Sequence, residues 1–451
     1  MKRDLHSAVL SARLFVALVA LSAPFGWLPG GVAGASETTL PVPQPDVSPP
    51  SPEAAPLLGE RLVTAFGAAY ASHYFQHRDR VFCDGETVYY LRREIQAFLD
   101  MWRATGDRPY LDRARNLALR AIDEATANPR PLIWHDELRG EWPCFYLATV
   151  AAETGGHNQL CDFQGSVGFL MVARCLHQVN HPGWQEMADF VEREIVEKWL
   201  YYHPAVIEWH FTGPTSCENI LAALNGGRDV REHFACICLD LHKLGYQTYP
   251  YLKWATLLID LYLTRRDDPN QPAPHADEVP HHIPQDWGLL PHTAADGYVW
   301  LAVPNYDPNK TVIAMDTSHA NRTVWLAARA CSEGLVDPSM VDGLVNTLRF
   351  QVWDPDKGPF YFNNYLDGSD GDVNGLDSGR GGNVWFGWHR LAAYDEALCD
   401  LFLAIADDLT YGGPNLPDGA QNKAMQNATL CLEAWGLRLL AGEKGRPFHF
   451  P

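Results

Sequence analysis

Twelve stretches of this chain carry apolar residues at helical spacing, and none alternates apolar and polar residues convincingly as a half-buried strand does. They lie near 59–77, 86–104, 110–128, 141–154, 163–180, 184–202, 228–244, 250–266, 316–334, 338–350, 388–406 and 421–441. Glycines and prolines such as Gly106, Pro131, Gly155, Pro182 and Gly245 punctuate them. So many antiparallel helices in one chain, with no fixed-period repeat to mark a solenoid, predict an all-α fold. The expected architecture is an (α/α) toroid, an incomplete barrel of antiparallel helix pairs. Long connections near 267–315 and 351–387 predict loops that cap the toroid, where sites are usually built.

Three parts follow along the chain. Residues 1–35 read as a signal peptide: Lys2 and Arg3, an apolar run from Leu14 to Leu21, then small residues Ala33, Gly34 and Ala35. Residues 36–57 hold seven prolines and read as a linker. Residues 58–451 are the expected catalytic toroid, secreted or periplasmic, with no membrane span in the mature chain. A net charge of −20 argues against nucleic acid and anionic membrane surfaces as partners. The ten cysteines form no CxxC pair, which argues against a zinc ribbon, and several fall in apolar helical contexts as small core residues.

Aromatic residues make up 12% of the chain, with 15 Trp and 18 Tyr, enough both to fill a large core and to stack on sugar rings. Two runs carry candidate chemistry. In Asp316-Thr-Ser-His-Ala-Asn-Arg322, a capped helix start places His319 and Arg322 on one face, with Asp316 able to fix the imidazole tautomer. In Gly381-Gly-Asn-Val-Trp-Phe-Gly-Trp-His-Arg-Leu-Ala-Ala-Tyr394, the glycines allow close approach to a ligand, and Arg390 and Tyr394 share a helix face. Arginine can hold a carboxylate in a two-point grip. Together the runs offer what β-elimination at a uronic acid needs: a neutralised carboxylate, a base and an acid.

The Asp316–Arg322 run, the Trp388–Tyr394 run and the helical pattern resemble the toroidal alginate and glucuronan lyases, in particular polysaccharide lyase family 38. The resemblance spans the chain after the linker. It implies a helical toroid with a tunnel-like cleft, His319 as base, Tyr394 as acid and Arg390 as carboxylate neutraliser. It also implies Arg322, Asn321, Trp388, Arg380, Tyr365 and Tyr361 as substrate-binding residues, with Arg380, Tyr361 and Tyr365 able to replace the Arg and Tyr placements. The expected function is a polysaccharide lyase on an anionic polysaccharide, without cofactor or metal. Chain and substrate would then both be acidic, and a local basic pocket would resolve the conflict.

An inverting glycoside hydrolase on the same toroid is the alternative, with Asp136, Glu137, Glu208 and Asp316 as its pool of acids. A non-catalytic glycan-binding protein is a third. The run Asp370-Gly-Asp-Val-Asn-Gly375 begins like a calcium loop, but Gly381 stands where the bidentate Glu belongs. His275, His281, His282 and His292 fit no standard metal spacing.

Overall fold

The structure, a computed structural model, describes residues 54–77, 79–134, 137–147, 155–201, 224, 228–264, 289–291, 299–300, 302–303, 313–369, 382, 384, 386–410 and 423–443. The expected signal peptide and nearly all of the linker lie outside them. Among the described residues, no helix is long and apolar enough to cross a membrane.

Within the described residues, twelve helical elements follow one another. They are α1 (Ala54–His77), α2 (Gly85–Thr105), α3 (Arg108–Ala127), α4 (Gln159–Gln178), α5 (Trp184–Phe190, running on through a π-helical stretch into Glu197–Tyr201) and α6 (Arg228–Lys243). Then come α7 (Tyr251–Leu263), α8 (Thr317–Ser332), α9 (Pro338–Thr347, extended by Leu348–Val352), the short 3-10 helix α10 (Trp388–Ala393), α11 (Glu396–Thr410) and α12 (Lys423–Arg438).

The even-numbered helices form a closed inner ring: α2 packs on α4, α4 on α6, α6 on α8, α8 on α10, α10 meets α12 through His389 and Trp435, and α12 returns to α2. The odd-numbered helices pack outside, α3 against α2 and α4, α7 against α6 and α8, and α1 against α12. This is an (α/α) toroid.

The inner helices run in one direction, because residues at matching depth touch. Near their starts, Gln164 on α4 donates to the carbonyl of Tyr89 on α2 at 2.5 Å, and its Oε1 meets His233 of α6 at 3.1 Å. Near their ends, Arg329 of α8 pairs with Asp240 of α6, and Arg438 of α12 with Asp100 of α2 at 2.7 Å.

The two ends of the ring therefore differ. At the floor, where inner helices end, connections are short: 106–107, 179–183, 244–250, 333–337 and 394–395. Gly106 closes α2 with φ 77°, the left-handed cap that glycine adopts freely. At the mouth, where inner helices begin, 78–84 is short but the other connections are long: 128–158, 202–227, 264–316, 353–387 and 411–422. Asp84, Asn158 and Asp316 cap the inner helices there, each accepting a backbone N–H.

Two expectations fail in detail. The stretch 141–154 does not begin a helix. An antiparallel hairpin, β1 (Arg130–Trp134) with β2 (Glu137–Trp142), occupies its start, because Pro131 and Pro143 exclude a helix and Gly140 takes φ 100°. The stretch 388–406 is two elements, α10 and α11, which belong to different layers. Nine of the ten cysteines are described; no disulfide joins any two of them, and eight are buried.

Candidate active site at the mouth of the ring

The mouth gathers most of the longer connections and a set of partly exposed polar groups. His319, in the first turn of α8, keeps 43% of its side chain exposed. Asp316 accepts from its backbone N–H at 3.0 Å and from its Nδ1 at 2.6 Å. That hydrogen bond raises the imidazole above its ordinary range, against the opposing effect of burial. Asp316 is held below the usual carboxylate range: burial opposes ionisation, and the bond to His319 outweighs it.

One turn further in, Arg322 is buried, donates to the Tyr89 hydroxyl and stands 3.7 Å from Asp229 at the start of α6. Tyr89 and Tyr90 sit half-buried on α2. Tyr365 pairs in register with Asp316, and Asn364 accepts from the Thr317 N–H at 2.8 Å, so loop 353–369 is stitched to the start of α8. The β1–β2 hairpin joins α3 to α4 and belongs to the same face. A buried ion pair below it, Lys198 with Asp162 at 2.6 Å, fixes the hairpin's exit: Lys198 donates to the Pro143 carbonyl, and Asp162 accepts from the Phe145 N–H.

The expected trio of His319, Arg390 and Tyr394 does not converge. Arg390 is 1% exposed and grips Asp100 with both terminal nitrogens, deep towards the floor, beside Arg438. Tyr394 follows α10 and donates to the carbonyl of Ala328, 3.1 Å away. Ala328 lies nine residues beyond His319 on α8, a rise of about 13 Å. The carboxylate that Arg390 holds is the protein's own.

Asn321 and Trp388 join α8 to α10 and present no free face. The Trp388 backbone N–H donates to Asn321 at 3.2 Å, its indole donates to the Thr317 carbonyl at 3.1 Å, and the side chain is fully buried. The glycine-rich run serves the same joint. A Cβ at Gly387 would lie 2.1 Å from the Asn321 carbonyl oxygen, so the close approach is to backbone. Tyr361 and Tyr365 remain half-buried in the loop by the mouth, with Lys357 over the Tyr361 ring. Arg380, Asp136, Glu208 and the candidate metal residues lie outside the described residues, and Glu137 is placed only by its register with Trp134.

Sequence reasoning missed Tyr89, Arg92, Arg93 and Asp229. Tyr89-Tyr-Leu-Arg-Arg93 carried a usable signal: aromatic and basic residues three and four apart in an otherwise core-forming helix.

The solved structures similar to this chain include an inactive variant of alpha-1,6-mannanase GH76A of Salegentibacter sp. HEL1_6 in complex with alpha-1,6-mannotetrose. That likeness has 12% identity and a TM-score of 0.45, covering 85% of this chain and 99% of that one. A structure of the GH76A alpha-1,6-mannanase from the same organism matches at 13% identity and TM-score 0.35, over 87% and 98% of the two chains. The likeness is one of fold. No protein-family model and no curated protein sequence matches.

The similar structures are of an alpha-1,6-mannanase, not of an alginate or glucuronan lyase, and the resemblance to polysaccharide lyase family 38 is not borne out. The β-elimination reading goes with it. The ring itself agrees, since Arg390 and Tyr394 are withdrawn from the mouth.

Proposed function

We propose that this protein is a glycoside hydrolase that works at the mouth of its toroid. The observation that carries the reading is the gathering of acid, imidazole and aromatic groups at one rim: Asp229, the Asp316–His319 pair and Tyr89. Glycoside hydrolysis needs a proton donor for the leaving oxygen and a base for water, set on either side of the bond. Asp229 and Asp316 begin neighbouring inner helices, and His319, whose hold on a proton the bond to Asp316 strengthens, adds a second proton carrier. Asp136, Glu137 and Glu208 complete the pool of acids from the long connections. The half-buried faces of Tyr89 and Tyr90 suit a sugar ring.

The test is release of new reducing ends from a panel of neutral and acidic polysaccharides. Asp229→Asn, Asp316→Asn and an Asp136→Asn/Glu137→Gln pair separate the acids. Loss of turnover by about 100-fold in at least one is expected. No release from any glycan, or unchanged rates in all three variants, would overturn the proposal.

A further inference from the structure

Just inside the mouth, Arg92 and Arg93 are 5% and 8% exposed, and among the described residues neither side chain makes a hydrogen bond or an ion pair. The guanidiniums buried deeper in the ring have acids: Arg390 and Arg438 share Asp100, while Arg174 and Arg329 share Asp240. Arg92 and Arg93 have only aromatic rings. Arg92 lies 4.9 Å from the Trp325 ring, and Arg93 lies 3.2 Å from the Phe386 ring, with Tyr89 and Tyr90 at 5.4 and 5.1 Å.

Stacking on a ring orients a guanidinium but leaves its N–H donors unused. Burial pulls Arg92 down to about 9 and Arg93 to about 10, and the positive charge of Arg322 acts on both in the same direction. Nearby His233 is buried and pushed well below its ordinary range by that burial and by Arg92 and Arg322, so it supplies no further charge. A chain of net charge −20 thus keeps two guanidiniums without an acid inside its ring, beside Arg322, which Asp229 and Glu232 face.

Buried charges are retained when something pairs with them. The geometry points to an oxyanion-bearing sugar as that partner: Arg92 and Arg93, with Arg322 beside Tyr89, form a subsite for the carboxylate or sulfate of an acidic glycan. This rests on the hydrolase reading, whose sugar it defines. The anion would sit below the proton-handling groups of Asp229 and His319, so it would anchor the ring being cleaved or its neighbour.

The test is binding of glucuronate, glucose 6-sulfate and glucose to the intact protein, by calorimetry and thermal shift. At least one acidic sugar should bind ten-fold or more tightly than glucose, with an affinity that falls as salt rises; which one binds separates carboxylate from sulfate. Arg93→Met and Arg92→Gln should lose that preference, and Arg120→Gln on the outer surface should keep it. Arg93→Met should also melt higher than the parent protein when no anion is present, because a buried unpaired charge is gone. Equal binding of all three sugars, or an acidic preference that survives both substitutions, would overturn the inference. The sugar comparison on the parent protein decides the matter even where a variant fails to fold. Cleavage of neutral glycans with no acidic preference would remove this subsite and leave the hydrolase standing. Acidic-sugar binding without any cleavage would do the reverse.

Discussion

The mouth and the floor of the same ring treat charge in opposite ways. At the floor, Asp100 is locked between Arg390 and Arg438, and Asp240 between Arg174 and Arg329, all nine-tenths buried or more. Two guanidiniums hold Asp100 below the usual carboxylate range although burial opposes it. At the mouth, His319 and Asp229 keep contact with solvent, and Arg92 and Arg93 lack an acid among the described residues. Paired charges in a sealed layer specify which helices meet; charges left open at a rim are available to a ligand. The contrast separates architecture from chemistry on helices that span both ends.

The largest effect should come from breaking the floor. Asp100→Ala leaves Arg390 and Arg438 buried without their carboxylate, and should cost about 3–5 kcal/mol in urea unfolding. Molecules that stay folded should keep their turnover. A loss of turnover without loss of stability would mean that Asp100 belongs to the site.

Glu433 is an exception within the packed wall, a 2% exposed carboxyl that burial raises to about 8. The fold keeps its proton while the unfolded chain releases it in the ordinary carboxylate range. Its stability contribution is therefore fullest at low pH and falls as pH rises towards 8. Glu433→Gln should gain on the order of 4 kcal/mol at pH 8 and little at pH 4, because each tenfold change in proton affinity is worth ~1.4 kcal/mol. A melting temperature that does not move at either pH would refute this.

Substitutions at the mouth should act on rate more than on folding. His319→Ala removes a half-exposed side chain, and should cut turnover about 100-fold while shifting stability by less than ~1 kcal/mol. If stability falls by far more, the pair with Asp316 is structural.

The smallest effect is the most specific. Asp316→Asn keeps the α8 cap but loses the charge that raises His319. The protonated imidazole stabilises the fold fully below its ordinary pKa, and that gain is lost as pH rises through the raised value. In the variant both the loss of stability and the alkaline limb of activity should move to lower pH. An unmoved alkaline limb would show that His319 carries no proton in the reaction.

The same division explains what the sequence disclosed. Helices bury an apolar stripe, so their periodicity announced the toroid, and the Asp316 cap with His319 at its first turn was readable because both are local. Arg390 misled for the opposite reason. Its partner Asp100 lies 290 positions away, and nothing near Arg390 in sequence says whether its fork holds a substrate or another helix. The β1–β2 hairpin was hidden by its short strands and irregular register between Pro131 and Ile133. Arg92 and Arg93 were missed because nothing near them in sequence says that ring closure buries both.

The parallel run of the inner helices has an electrostatic consequence of its own. Each helix carries a macrodipole worth roughly half a positive charge at its start and half a negative charge at its end. Six inner starts meet at the centre of the mouth, and the outer helices, running the other way, bring their ends to its periphery. The alternation therefore gives that face a positive centre within a negative border, before any side chain is counted. An anionic group crossing it would be turned away at the edge and drawn inward on the axis, towards Arg93.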